Sequence, residues 1–391
     1  MSSVRTRDWA DALYELAPRE ETARRLVVQL RACEVAALAF CRLLERWARG
    51  DADPCTPGRR QAALRRAAER AETALAGLDR PLSRYLLELE PEIAEGRSWY
   101  GGPGAGELLE WDEVLNRAGV RLIVGHSHSF DAPILRLRAL VNSGAFGPVR
   151  MITALNYTDY LYRPRRPEEL DTAKGGGAVF NPAAHQVDIV RLIGGGRVAS
   201  VRAMTGAWDS ARPTEGAYAA MLTFADGAFA SLAYSGYGRF DSDEFDNWVG
   251  EMGQAKQPYA AAARPRFASG AEEIAVKAAR NYGGADYRPP SAPMAHQHFG
   301  TLIVSCTQAD LRPVPAGVMI YRDGGARLEP LPPPAVPRAE VIDEVYRTVV
   351  GSEPTLHDGA WATATVEVLL AMLRSAHEDR EIMLTRQVAA P

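Results

Sequence analysis

The sequence has few cysteines and no long hydrophobic run. Its four cysteines, Cys33, Cys41, Cys55 and Cys306, form no CxxC pair and no cluster with histidine at zinc-ligand spacing. This pattern predicts neither a disulfide framework nor a metal site, and it favours reduced thiols. No run of 18 apolar residues occurs, and the N-terminus lacks the apolar core and cleavage site of a signal peptide. We therefore expect a cytoplasmic protein.

An excess of positive charge is also missing. The 391 residues carry a formal net charge of −4, with 47% hydrophobic and 24% charged residues. This balance is ordinary for a globular chain and gives no general attraction to nucleic acid or to an anionic membrane. It predicts a small-molecule substrate as the partner, with no nucleic acid and no membrane.

The first hundred residues lack histidine and lysine and are rich in arginine and alanine. Leucine and valine recur at three- and four-residue spacing between Glu20 and Ala48, which is the stripe of an amphipathic helix. Residues 1–100 are therefore predicted to be an α-helical segment, either a self-contained bundle or a contact for a partner subunit. The glycines from Gly101 to Gly106 mark a junction to the rest of the chain.

The remaining chain alternates between helical and strand patterns. Residues 107–130 predict one αβ unit, with a helix that ends at Gly119 and a buried strand over 120–125. Residues 131–391 predict a strand-rich domain, so the fold class is α+β. The predicted strands are 150–155, 198–205, 217–224, 229–235, 301–306 and 317–321, and the predicted helices are 131–142, 181–193, 340–350 and 358–377. Residues 254–295 have the composition of an irregular loop, which could cover an active site.

Two histidines follow the buried strand at 120–125. His126 and His128 stand at its carboxyl end, which is the edge where ligands bind in α/β sheets. Both are candidate substrate-binding residues, although either one could be a hydrogen-bonded polar residue of the interior.

A glycine run at 175–177 precedes a second polar set. Asn181 and His185 are four residues apart on one helical face, and Asp188 follows about a turn later. Such a set can hold an imidazole as a general base, so we predict His185, Asn181 and Asp188 as catalytic residues. Asn181 also precedes a proline, and it could instead be the helix N-cap.

Tyrosines and arginines are concentrated in the loop between these motifs. Tyr157 offers an aromatic face, and Arg163, Arg165 and Arg166 offer guanidinium groups that can bind a carboxylate. The loop therefore suits an aromatic acid, and these four residues are predicted to bind the substrate. A solvated arginine and glutamate surface loop is the alternative.

Together these motifs resemble the glucose-fructose oxidoreductase/inositol dehydrogenase/MocA (Gfo/Idh/MocA) family, and within it the phthalate-type cis-dihydrodiol dehydrogenases. The resemblance covers residues 119–388 and is carried by the His126–Phe130 strand exit, the loop at 156–171, the glycine run with Asn181, His185 and Asp188, and the stretch at 234–245. It implies an open mixed or antiparallel sheet with helices on one face. It also implies that residues 107–130 are the last αβ unit of a dinucleotide-binding domain.

The resemblance further implies an activity. The substrate would be a cyclic, carboxylated cis-diol from aromatic compound catabolism, oxidised with NAD or NADP while His185 takes part in proton transfer. The sheet would also form a homodimer.

Two family motifs are not recognisable in this chain. No GxGxxG turn follows a buried strand, and the only lysines are Lys174, Lys256 and Lys277, so the lysine of the family's Glu-Lys-Pro motif is absent. The cofactor-binding residues are therefore unknown. Three accounts remain open: a helical domain in place of the cofactor domain, a split enzyme, and a truncated or frameshifted gene. A non-redox ligand-binding or assembly protein is the alternative function.

Overall fold

The computed structural model describes residues 123–124, 127–259, 270–280, 284–288, 295–334, 338–349, 351 and 353–390. All of them belong to one of two compact units, which comprises Pro103–Asp112 and Leu122–Pro391. The predicted helical segment 1–100, residues 107–122 of the predicted αβ unit and His126 lie outside the described residues. Within the described ranges, no helix is long and apolar enough to cross a membrane, and no group of three or more His, Cys, Asp or Glu could hold a metal ion.

A nine-stranded open sheet forms the centre of the described unit. Its strands are β1 (Val149–Tyr157), β2 (Val198–Gly206), β3 (Ala217–Phe224), β4 (Phe229–Ser235), β5 (Thr301–Cys306), β6 (Asp310–Val314), β7 (Gly317–Arg322), β8 (Gly325–Pro330) and β9 (Ile382–Met383). They lie in the order β8-β7-β6-β5-β1-β4-β3-β2-β9. Strands β1 and β4 are parallel and the other neighbours are antiparallel, so the sheet is mixed.

The larger helices pack on one face of this sheet. The helices are α1 (Ala132–Asn142), α2 (Gly177–Phe180), α3 (Pro182–Ile193), α4 (Gly270–Arg280), α5 (Ala339–Val349) and α6 (Gly359–Glu378). Helix α1 contacts β6 and β7, α3 contacts β1 and β4, and α6 contacts β2. Alternate strand residues such as Ile152, Leu222 and Leu232 are buried beneath these helices. The predicted α+β class with an open mixed sheet is confirmed.

Local signals explain where several elements begin and end. The side chain of Asp358 accepts a hydrogen bond from the backbone N–H of Trp361 and caps α6. Gly227 has φ +88° in the turn of the β3–β4 hairpin, a conformation that favours glycine.

The prediction of an irregular loop over residues 254–295 is wrong in part, because α4 lies within it. The carboxylate of Glu273 on α4 accepts hydrogen bonds from the backbone N–H of Arg165 and from the guanidinium of Arg212. The contact with Arg165 holds the helix against the 160–171 loop. Strands β6, β8 and β9 were also not predicted, because their residues do not alternate clearly between apolar and polar.

Candidate active site

A cleft of about 260 Å³ opens where the parallel strands β1 and β4 end. The carboxyl ends of parallel strands meet at one edge of a sheet, which is where ligands bind in open sheets. The residues that line the cleft are Asn156, Thr158, Asp159, Arg163, Asp243, Gly250, Glu251, Met252, Gln254, Lys256 and Gly300.

His185 lies in the first turns of α3 and is half-buried. Its ring packs edge-on against His128, with 5.0 Å between ring centroids, and its centroid lies 5.1 Å from that of Phe299. His185 is also close enough to Glu251 to lower the pKa of that carboxyl. The structure therefore brings His185 together with His128 and with a carboxylate that lines the cleft.

His128 is only 1% exposed and lies between two carboxylates. Its Nδ1 is 2.9 Å from Asp131 Oδ2, and its Nε2 is 3.1 Å from Glu251 Oε1. Burial alone lowers the pKa of His128, but the hydrogen bonds and charges of Asp131 and Glu251 outweigh it and raise the pKa to about 9. Both ring nitrogens are thus engaged with protein carboxylates, whereas the sequence motif predicted a substrate contact.

Glu251 connects this buried histidine to the cleft. Burial alone would raise the pKa of Glu251, but the hydrogen bond and charge of His128, with the charges of Arg163 and His185, hold it well below its usual range. The nearest distance from its carboxylate to Arg163 is 3.6 Å, between Oε2 and Nη1. Glu251 has 31% of its side chain exposed and presents its carboxylate to the cleft.

The three predicted carboxylate-binding arginines lie in different environments. Arg163 lines the cleft, and its Nε donates to Asp159 Oδ1 at 2.8 Å. Arg165 is buried, stacks on the ring of Tyr160 at 3.8 Å and donates to the carbonyl of the same residue. Arg166 is 56% exposed and does not line the cleft. Of these arginines, only Arg163 lines the cleft.

Tyr157 lies at the end of β1 and is half-buried, with its ring edge-on to Phe240 at 5.7 Å. Asn181 is exposed, and its side chain makes no capping hydrogen bond to α3. Its position at the helix start therefore does not depend on the N-cap bond that the sequence also allowed.

Asp188 is fully buried between α3 and α6. Its Oδ1 accepts hydrogen bonds from Trp361 Nε1 at 2.5 Å and from Thr365 Oγ1 at 3.2 Å, and its Oδ2 lies 3.6 Å from His357 Nε2. These bonds fix the helix that carries His185.

His357 also joins Ser129 and Glu344. Ser129 Oγ is 2.7 Å from His357 Nε2, and His357 Nδ1 is 3.3 Å from Glu344 Oε2. The order serine, histidine, carboxylate matches a nucleophilic triad, but Ser129 and His357 are both 0% exposed. A buried hydroxyl cannot reach a substrate, so this cluster holds the interior together.

Sequence reasoning missed Glu251 and the ion-pair group around Lys256. Lys256 Nζ lies 2.5 Å from Asp241 Oδ2 and 2.6 Å from Asp243 Oδ2. Asp241 and Asp243 belong to the 234–245 stretch that carried the family resemblance, and this was a signal that could have drawn attention to them. Glu251 and Lys256 had no such signal.

The glycine run before α2 does not fit the pyrophosphate of a dinucleotide. A Cβ on Gly176 would lie 2.3 Å from the carbonyl of Glu168, and one on Gly177 would lie 2.1 Å from Glu215 Oε1. The carboxylate of Glu215 also accepts a hydrogen bond from the backbone N–H of Val179. A carboxylate at this point repels phosphate. These glycines therefore allow close packing of the backbone, and no cofactor contact is assigned to them.

Comparison with known proteins gives concordant matches. The C-terminal domain model of the GFO/IDH/MocA family matches residues 134–254. The chain is 44% identical over 280 residues to 1-carboxy-3-chloro-3,4-dihydroxycyclohexa-1,5-diene dehydrogenase of Comamonas testosteroni, covering 70% of each protein.

Solved structures were also matched. A protein of Bordetella bronchiseptica RB50 that is assigned as a dehydrogenase is 42% identical, with a TM-score of 0.66 over 71% of this chain and 74% of that chain. An Agrobacterium radiobacter oxidoreductase in complex with NAD+, L-tartaric acid and magnesium is 15% identical, with a TM-score of 0.47 over 71% of this chain and 69% of that chain.

Proposed function

Since this chain belongs to the Gfo/Idh/MocA family of oxidoreductases, we propose that it oxidises one carbinol of a cyclic, carboxylated cis-diol with NAD or NADP. The proposal takes its substrate class from the name of the Comamonas testosteroni relative, which acts on a carboxylated dihydroxycyclohexadiene. Such a reaction belongs to the catabolism of aromatic compounds.

The observation that supports this proposal best is the position of His185. Its half-buried imidazole packs against His128, which hydrogen-bonds the cleft residue Glu251. His185 takes the proton of the reacting hydroxyl, since an imidazole is the side chain best suited to proton transfer near neutral pH. Asp188 acts as a positioning residue that anchors α3, and Asn181 contacts the substrate at the start of that helix.

A bound nicotinamide supplies the hydride acceptor for the carbinol carbon. The glycine run at 175–177 does not fit a pyrophosphate, so no residue is assigned to the cofactor and only proton handling is assigned to this chain. We propose that residues 107–130 derive from the last αβ unit of a dinucleotide-binding domain and that the protein is cytoplasmic. A partner subunit at residues 1–100 remains a prediction.

A second copy of the chain is the proposed occupant of the open sheet face. Met151, Met221, Phe229 and Ile303 are exposed large apolar side chains on the face opposite the helices. Met151 is paired with Phe229 in the register of β1 and β4, so these two side chains lie side by side. An apolar surface of this kind is typical of a subunit interface, and light scattering of the full chain tests the predicted dimer.

The proposed function is tested by turnover of a carboxylated cis-diol with NAD+ and NADP+, using the full chain and its His185→Gln variant. General base catalysis contributes about 10²–10⁴-fold, so we expect a loss of that size in kcat. His377→Gln, at an exposed position near the end of α6, is the matched control and should retain activity. Ligand binding that survives His185→Ala, with no turnover under either cofactor, would favour the non-redox alternative.

A further inference from the structure

The orientation of the substrate follows from the charges that line the cleft. We propose that the cleft binds the two vicinal hydroxyls of the substrate and that the substrate's carboxylate lies outside it. This inference rests on the proposed function and deepens it, because it states which polar groups of the substrate enter the cleft.

The cations at the cleft are already paired. Among the described residues that line it, Arg163 and Lys256 are the only cationic side chains. Arg163 is paired with Asp159 and Glu251. The flanking carboxylates of Lys256 are Asp241 and Asp243. Four carboxylates therefore surround these two cations, and one of the four, Glu251, is also hydrogen-bonded to the buried ring of His128.

A carboxylate ligand would enter this group at a cost. A carboxylate that approaches Arg163 or Lys256 comes close to the protein carboxylates that already lie beside these cations. Like charges at such short range repel each other, and the repulsion is stronger where water is partly excluded. The predicted recognition of a substrate carboxylate by Arg163 is therefore disfavoured, and Arg163 serves to hold Glu251.

Hydroxyl groups have the complementary chemistry. A hydroxyl donates to a carboxylate and also accepts from an ammonium or an amide, so it can bridge a paired cation and anion without breaking the pair. Lys256 beside Asp243 presents such a pair. The neutral side chains of Asn156, Thr158 and Gln254 line the same cleft. Two adjacent hydroxyls on one ring can use both kinds of partner.

Glu251 links this subsite to the proposed acid/base. It lines the cleft and accepts from His128, whose ring packs against His185. A hydroxyl held at Glu251 therefore lies on the side of the cleft where its proton can be removed. With the diol in the cleft, the carboxylate at the far end of the ring points away from the acidic group.

Two ring compounds that differ only in the polar group test this orientation. cis-Cyclohexane-1,2-diol carries the hydroxyl pair without a charge, and cyclohexanecarboxylate carries the charge without the hydroxyls. We expect ligand-observed NMR with the full chain to show binding of the diol, and addition of the carboxylate should not displace it.

Variants then locate the diol. Asp243→Asn removes one acceptor charge and should weaken diol binding at least about tenfold, since a hydrogen bond to a charged group is stronger than one to a neutral group. Lys256→Met provides a second variant with the same expectation, and circular dichroism checks that each one folds. Asp226→Asn, at the exposed β3–β4 turn, is the matched control and should bind the diol normally.

Three results would overturn the inference: binding of neither compound, displacement of the diol by the carboxylate, or loss of carboxylate binding in Arg163→Gln. None of these measurements uses a cofactor or turnover. A chain that binds the diol in the cleft but never reduces a nicotinamide would refute the proposed dehydrogenase activity alone, and the two failures are therefore distinguishable.

Discussion

The buried imidazolium of His128 makes the stability of the protein depend on pH in a defined direction. Burial lowers the pKa of His128, and Asp131 and Glu251 together outweigh burial and raise it to about 9, against 6.5 for an ordinary histidine. A pKa that is higher in the folded than in the unfolded chain stabilises the fold below pH 6.5. This contribution is lost as the pH rises through 9.

The shift from 6.5 to about 9 corresponds to about 3 kcal/mol of unfolding free energy. The His128→Gln variant cannot make this contribution. Between pH 6 and pH 9.5, the wild-type chain should therefore lose up to about 3 kcal/mol more stability than the variant. Urea unfolding followed by tryptophan fluorescence at the two pH values measures the difference. The pKa of His357 is also raised, but its contribution is present in both proteins and cancels.

The exposed His377→Gln variant should behave as the wild type does in this comparison. Equal losses of stability in the wild-type chain and in His128→Gln would refute the reasoning, because they would show that the two carboxylates do not hold a proton on His128.

Two further predictions concern packing. Gly144 and Gly147 both have φ +72°, but a Cβ on Gly147 would lie 2.0 Å from Thr307 Oγ1 while one on Gly144 meets nothing within 4 Å. Gly147→Ala should therefore lower the unfolding free energy by about 0.5–1.5 kcal/mol more than Gly144→Ala in thermal unfolding, because the Thr307 side chain must turn away from its rotamer. Trp361→Phe removes the N–H that donates to the buried carboxylate of Asp188, and we expect it to cost about 1–3 kcal/mol in urea unfolding.

Trp208→Phe is the control for the second of these predictions, because Trp208 is exposed and its change should cost little. Equal stability of Gly147→Ala and Gly144→Ala, or a Trp361→Phe variant as stable as the wild type, would contradict the packing described around these residues.

Much of the fold could be predicted because its signals are local. The β3–β4 hairpin is indicated by alternating apolar and polar residues on both sides of Gly227. Helix α6 is indicated by Asp358 followed by a long apolar stripe. Strand β9 is two residues long and exists only because Ile382 pairs with β2, so no local pattern could show it.

The candidate site was harder to predict from the sequence because its residues come from segments that are far apart in the chain. His128 and Glu251 are 123 positions apart, and only the folded sheet brings them together. Lys256 lies in the predicted irregular loop at 254–295, and Glu251 lies just before it in a stretch where no helix or strand was predicted. Asp188 was predicted to act with His185 from its helical spacing, but spacing cannot show that α6 supplies Trp361 as a hydrogen-bond donor to its carboxylate.

The proposed dehydrogenase activity is tested most directly by tracing the hydrogen of the carbinol carbon to the nicotinamide. The full chain is mixed with NAD+ or NADP+ and a carboxylated cis-diol whose carbinol carbons carry deuterium, and the nicotinamide is recovered and examined by mass spectrometry. The account predicts reduced nicotinamide that carries one deuterium, formed at least about a hundredfold more slowly by the His185→Gln variant. Recovery of unlabelled, oxidised nicotinamide after prolonged incubation with the wild-type chain would contradict it.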